Sequence, residues 1–349
     1  MERTGRLVVL DGLRGLAALA VMLGHVWSEF HIGPLFARSY LMVDLFFLLS
    51  GYVLTLSIEP RLAQGWGEAR FLLARAWRLW PMIVAGVGVG AIAWLADLVA
   101  GGFTLHEGFR LFQIAALGLL LVPCFVNNRT GALFPLNGPH WSLLFEVCAN
   151  VVHAFVLRRL ADRWVLLLAL GFGVLLAAAI YQNGRNDGGP YFGIWLPGVP
   201  RVGFAYCLGI WLARKRQSSG RDAGGWPWQA ALAAPVAAVV ALAALPLPVW
   251  AGDAAFVLLV MPVLFRFAAG SRVEGRAASA LQWLGALSYP LYAVHQPILL
   301  HFRRVDPSPL SATAAVTVAV ALAAGLAALF EMRRKRSAPN AARRGEALR

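Results

Sequence analysis

Charge is scarce in this chain. Only 14% of its 349 residues are Asp, Glu, Lys or Arg, and 59% are hydrophobic, whereas soluble domains carry about 25% charge. That excludes an ordinary soluble globule. Acidic residues are the scarcer sign, 17 against 31 Lys and Arg, for a formal charge of +14. Cysteine is limited to Cys124, Cys148 and Cys207, scattered in apolar stretches without CxxC or metal-ligand spacing. Neither a disulfide framework nor a metal site is expected from them. No cleavable signal peptide is expected either: the first apolar segment is too long, lacks a small-residue cleavage site and carries Arg14.

What is present is a succession of apolar runs of about 20 residues, the length that crosses a bilayer as a helix. They fall near 7–26, 39–57, 80–100, 107–125, 140–157, 164–181, 195–212, 228–246, 252–268, 281–301 and 310–331. The fold class expected is an all-α, polytopic helical membrane protein, and the bilayer is its first partner. Excess positive charge in a soluble chain would suggest nucleic acid. Here the arginines cluster in short loops, where they set topology, and no nucleic acid is expected.

Loop charge also decides how many segments cross. Arg3 and Arg6 place the N-terminus inside, and the loops holding Arg61, Arg70, Arg75 and Arg78, and Arg214, Lys215, Arg216 and Arg221, are inside too. If every segment crossed, Arg158, Arg159 and Arg163 would fall outside. If one segment between 101 and 139 does not cross, every strongly basic loop is inside. The 107–125 stretch, preceded by His106 and holding Glu107 and Arg110, is the best candidate. About ten transmembrane helices are therefore expected, both termini cytoplasmic, with 101–139 an interfacial or re-entrant outer segment; Arg38, Arg129, Arg185, Arg303 and Arg304 remain as minor exceptions. Residues 1–332 form the membrane domain, and 333–349 a basic, Ala-rich cytoplasmic tail expected to be disordered.

Ionisable groups inside these runs carry the functional signal, because each costs a few kcal/mol in lipid and usually lines a site. The first run, LDGLRGLAALAVMLGH, holds Asp11, Arg14 and His25. At 1.5 Å per residue, Arg14 and His25 stand about 16 Å apart along a helix, which marks a polar passage. MVDLFFLLSGYVL brings Asp44 near the outer face, and Gly51 after Ser50 allows close helix packing. Arg75 and Arg78, three residues apart in FLLARAWRLWP, share a helix face and form a fork for phosphate. NGPHWSLLFEV places Glu146 about two turns below the outer surface, at the depth expected for His25. A carboxylate there would orient an imidazole and raise its basicity, with Asp44 the second choice. His140 reads as interfacial. LGALSYPLYAVHQPI brings Ser288, Tyr289, Tyr292 and His295 into an apolar helix, and Arg201 stands out as an intramembrane cation in want of an acid. The outer loop QNGRNDGGP, with Asn183, Arg185, Asn186 and Asp187, is polar and turn-rich enough for a sugar. Buried charge also marks transport paths, so a transporter or flippase stays open on these residues alone.

In order along the chain, LDGLRGLAALAVMLGH, VDLFFLLSGYVL, RAWRLWP, WSLLFE and LGALSYPLYAVHQPI resemble the motifs of the membrane acyltransferase-3 family, integral O-acyltransferases of bacterial polysaccharides and other surface sugars. The resemblance covers nearly the whole chain. It implies an acyl-CoA donor, usually acetyl-CoA, with no metal, a carbohydrate or glycolipid acceptor, the bacterial inner membrane, and His25 as the catalytic residue. Under it, Arg14, Arg75 and Arg78 hold the CoA, Glu146 or Asp44 orients His25, and Asp11, Ser50, Trp141, Ser142, Tyr289 and His295 support the site, Ser142 and Tyr289 as oxyanion donors. Some members carry a fused periplasmic domain; this chain looks like the stand-alone type, acting directly or through a separate periplasmic partner. VCANVV after Glu146 departs from the aromatic pair frequent there in the family.

Overall fold

The structure is a computed structural model. It describes residues 2–125, 131–219 and 224–346, with side chains described from residue 8 to residue 332. Arg129 and Arg221, and the side chains of Arg3, Arg6 and the basic tail, lie outside the described residues. The architecture is all-α: α1 Glu2–Phe30, α2 Met42–Ala63, α3 Glu68–Gly101, α4 Leu105–Leu119, α5 His140–Phe155, α6 Asp162–Asn183, α7 Gly198–Ser219, α8 Trp228–Ala244, α9 Val249–Ala255, α10 Met261–Gly270, α11 Gly275–Val305 and α12 Pro309–Glu346. A π-helical turn, Phe256–Val260, joins α9 to α10.

Seven of these helical stretches are long and apolar enough to cross a membrane. Helices α7 and α11, with 22 and 31 residues, are long enough but carry polar groups into the bundle, and α8 adds 17 apolar residues. These three are the remaining candidates for the ten crossings expected. The segment expected not to cross is α4. Its 15 residues rise only about 22 Å, short of the roughly 30 Å hydrocarbon core. Thr104 caps it by accepting a hydrogen bond from the Glu107 amide at 3.3 Å, and Glu107 complements the helix dipole. The helix descends beside α3 until Gly118 packs on Val87. Further on, the Leu136 carbonyl lies against Gly90 of α3.

Close approach of helices is built on glycine and alanine, as polar-poor interfaces require. A Cβ on Gly51 would lie 2.2 Å from the Tyr206 carbonyl of α7, and one on Gly209 2.3 Å from the Leu48 carbonyl of α2. Gly12, Gly15 and Gly285 do the same between α1 and α11. Buried Ala312, Ala315, Ala319 and Ala323 give α12 a smooth face against α11. Helices α1, α2, α3, α5 and α11 thus surround the chain's polar centre.

At one end of the bundle, ion pairs tie the helix termini together. Glu68 of α3 binds Arg158 and Arg159 after α5; Asp162 of α6 binds Arg214 and Lys215 of α7; Glu59 of α2 binds Arg214 and His153. The strongly basic loops therefore share one end, the arrangement that a non-crossing 101–139 demanded. At the other end Asp97 binds His301 and Arg304, and Glu29 binds Arg303.

Candidate active site

Toward the basic end, three helices meet on one carboxylate. Glu146 Oε1 of α5 accepts from Arg75 Nη2 of α3 at 2.6 Å and from Ser50 Oγ of α2 at 2.9 Å. Arg14 of α1 donates from Nε to Ser288 Oγ at 2.9 Å and from Nη2 to the Gly285 carbonyl at 3.0 Å, and pairs with Asp11 at 3.1 Å. Arg78, one turn beyond Arg75, is exposed and has Arg75 and Arg14 as neighbouring cations, Glu146 and Asp11 as neighbouring anions. It makes no ion pair or hydrogen bond among the described residues. Arg75 Nε is buried without a partner. Three guanidinium groups against two carboxylates leave one positive charge and free N–H donors, which suits a phosphate.

Further along α1 the half-buried His25 lies beside His295 of α11, ring centroids 5.1 Å apart and planes inclined by 48°. His295 is fully buried, and its Nδ1 lies 3.0 Å from the Leu291 carbonyl. Tyr292 stands next to it at 5.8 Å between centroids, its hydroxyl 2.7 Å from Ser142 Oγ, which in turn donates to the Pro139 carbonyl at 3.0 Å. Arg14 with Ser288, and His25 with His295, thus lie at two levels of the α1–α11 seam.

Several expected partners are placed elsewhere. Glu146 faces Arg75 rather than His25. Asp44, the second choice, is fully buried against Arg201 of α7: Arg201 Nε and Nη2 donate to its carboxylate at 2.9–3.1 Å, and Asn186 Nδ2 adds a bond at 3.0 Å. Arg201 also donates to the Tyr40 and Gly188 carbonyls and lies over the Trp141 ring. Asp44, Arg201 and Trp141 are therefore held to one another. The hydroxyl of Tyr289 donates to the Leu79 carbonyl at 2.9 Å, so its proton, like that of Ser142, is engaged. His140 is buried, not interfacial; its Nε2 accepts from Asn137 Nδ2 at 3.1 Å. Asn186 is likewise buried in the Asp44 network, and Arg185 pairs with Asp187 and stacks on Tyr40.

One residue escaped sequence reasoning. Asp253 is fully buried, pairs with Arg38 at 3.3 Å and accepts from Tyr40 Oη at 2.7 Å and from the Asn186 amide at 2.9 Å. A lone acid inside an apolar run was the signal.

The family model described as "Acyltransferase domain" matches residues 7–332. A protein of Rhizobium radiobacter named "Protein 2 in picA locus" is 38% identical over 184 residues, half of this chain and 95% of that relative. No solved structure matches the chain.

Proposed function

The chain belongs to this acyltransferase family and is a multi-pass membrane protein, and from that premise we propose that it moves an acetyl group from cytosolic acetyl-CoA to a hydroxyl of a carbohydrate or glycolipid across the membrane. The observation that carries the reading is the polar seam between α1 and α11, with an unsatisfied cationic cluster at one end and the half-buried His25 imidazole further along. Positive loops stay cytoplasmic, so the basic end faces the cytosol and the protein sits in the bacterial inner membrane. Arg78 and the free Nε of Arg75 hold the CoA phosphates, and Arg14 lines the path of the pantetheine arm. The roughly 16 Å that α1 rises from Arg14 to His25 matches the reach of that arm when extended. There His25 acts on the acceptor hydroxyl as base, or carries the acyl group as an acyl-imidazole. Asp11 and Ser50 hold Arg14 and Glu146 in place.

Proteoliposomes provide the test. With acetyl-labelled CoA at the cytosolic face and a panel of sugars at the other, the label should appear covalently on sugar, as an ester. Label that crosses still bound to CoA, or a glycolipid that crosses unmodified, would make the protein a transporter.

A further inference from the structure

His25 is left without either expected carboxylate, because Glu146 is taken by Arg75 and Ser50 and Asp44 by Arg201 and Asn186. Another group must fix which nitrogen of the imidazole carries the proton if it is to act as a base. The nearest ring is His295. A carbonyl only accepts, so the 3.0 Å contact with Leu291 makes Nδ1 of His295 the protonated nitrogen. Nε2 of the neutral ring is then a lone pair, and it is buried without a partner. A buried, unused acceptor is costly. The one ring beside it that has no other hydrogen bond among the described residues is that of His25. An N–H···N bond of about 2.9 Å between two imidazoles sets their centroids about 5 Å apart, and these stand 5.1 Å apart. The two rings therefore stand at hydrogen-bonding spacing.

We propose that His295 is the positioning residue for His25, accepting its ring N–H at Nε2 so that the other His25 nitrogen is free to take a proton. This rests on the acyl-transfer reading above. In the step it serves, the acceptor hydroxyl oxygen bonds to the thioester carbonyl carbon and its proton passes to His25. The C–S bond breaks, the thiolate leaves with the electron pair, and it takes the proton from the imidazolium to give free CoA. The N–H that His295 holds spreads the transient positive charge over two imidazoles, in a place where a carboxylate would otherwise be expected.

A role in packing alone would rank substitutions by volume; this role ranks them by where they place an acceptor. His295→Gln sets an amide oxygen near the position of Nε2, His295→Asn reaches only the position of Nδ1, and His295→Leu offers nothing. With the full chain in nanodiscs, acetyl-CoA as donor and the sugar panel as acceptors, kcat for CoA release should fall roughly 100-fold for Asn and Leu. The Gln variant should retain most of the rate, and KM for acetyl-CoA should stay within about twofold in all three, since the thioester end carries little of the binding. Equal rates for Gln and Asn, or a wild-type rate for Leu, would overturn the proposal. Two controls separate the failures: unchanged CoA release in His25→Ala would remove the role given to His25, whereas no acyl ester on any sugar with the wild-type protein would sink the acyl-transfer reading itself. Wild-type protein labelled with 15N-histidine gives a second measure independent of variant folding. A proton shared between His25 and Nε2 of His295, lost in His25→Ala, is expected; two separate neutral imidazole signals would overturn it.

Discussion

Removing one member of the buried Asp44–Arg201 pair should unfold the protein rather than merely silence it. Asp44 is 0% exposed and Arg201 2%. Asp44→Ala strips the guanidinium of its ion-pair partner while the Tyr40 and Gly188 carbonyls still hold it in place. Arg201→Leu leaves the carboxylate with Asn186 alone and frees those two carbonyls. Breaking a buried pair from one side costs about 3–5 kcal/mol, a large part of the 5–15 kcal/mol that typically separates native from unfolded protein. The double variant Asp44→Leu with Arg201→Met removes both charges and should be more stable than either single variant, because neither ion is left uncompensated. Loss of monodisperse protein during a temperature ramp in detergent measures the order: wild type highest, double variant next, single variants lowest. Activity per folded molecule should change less than yield. Single variants as stable as wild type but inactive would refute the reasoning and return Asp44 to the chemistry.

Three other outcomes follow from the same geometry. Arg78→Ala should weaken acetyl-CoA binding by roughly tenfold or more, as expected for loss of one charge-assisted phosphate contact of about 1.5–3 kcal/mol. Its thermal stability should not change, since Arg78 has no described partner to lose; calorimetric titration with CoA checks the first part. Arg75→Ala should lose both affinity and stability, because it leaves the Glu146 carboxylate half-buried with only Ser50; a stability equal to that of Arg78→Ala would contradict the ion pair. Gly51→Ala drives a methyl to 2.2 Å from the Tyr206 carbonyl and should cost about 1–3 kcal/mol by overpacking. Gly171→Ala, which meets open space, should not.

Spacing along a single helix was legible in the sequence, because rise per residue is constant; depth in the bundle was legible only where a segment spans it from end to end. The shared basic end followed from loop charge, and α4 was singled out by Glu107 and Arg110 within an apolar run. Which way each side chain faces was not legible. Glu146 stands on the helix expected but not at the depth expected: α5 begins at His140 beside Gly86, in the middle of α3, so Glu146 lies toward the basic end against Arg75 rather than level with His25. Asp44 and Arg201, separated by 157 positions, were each conspicuous, yet nothing local says that α2 and α7 touch; the glycines at 51 and 209 decide that. His25 and His295 were likewise both visible and seen as separate, since the α1–α11 seam joins the two ends of the chain. Asp253 was overlooked because an isolated acid in a short apolar helix has no motif around it.

The most direct test of the central claim is CoA release from acetyl-CoA by the purified protein in nanodiscs, wild type beside His25→Ala, with thermal stability and CoA binding measured on both. With the sugar panel present as acceptors, release by wild type and near-complete loss in His25→Ala are predicted, with folding and CoA affinity retained. Release at the wild-type rate from folded His25→Ala would contradict the claim.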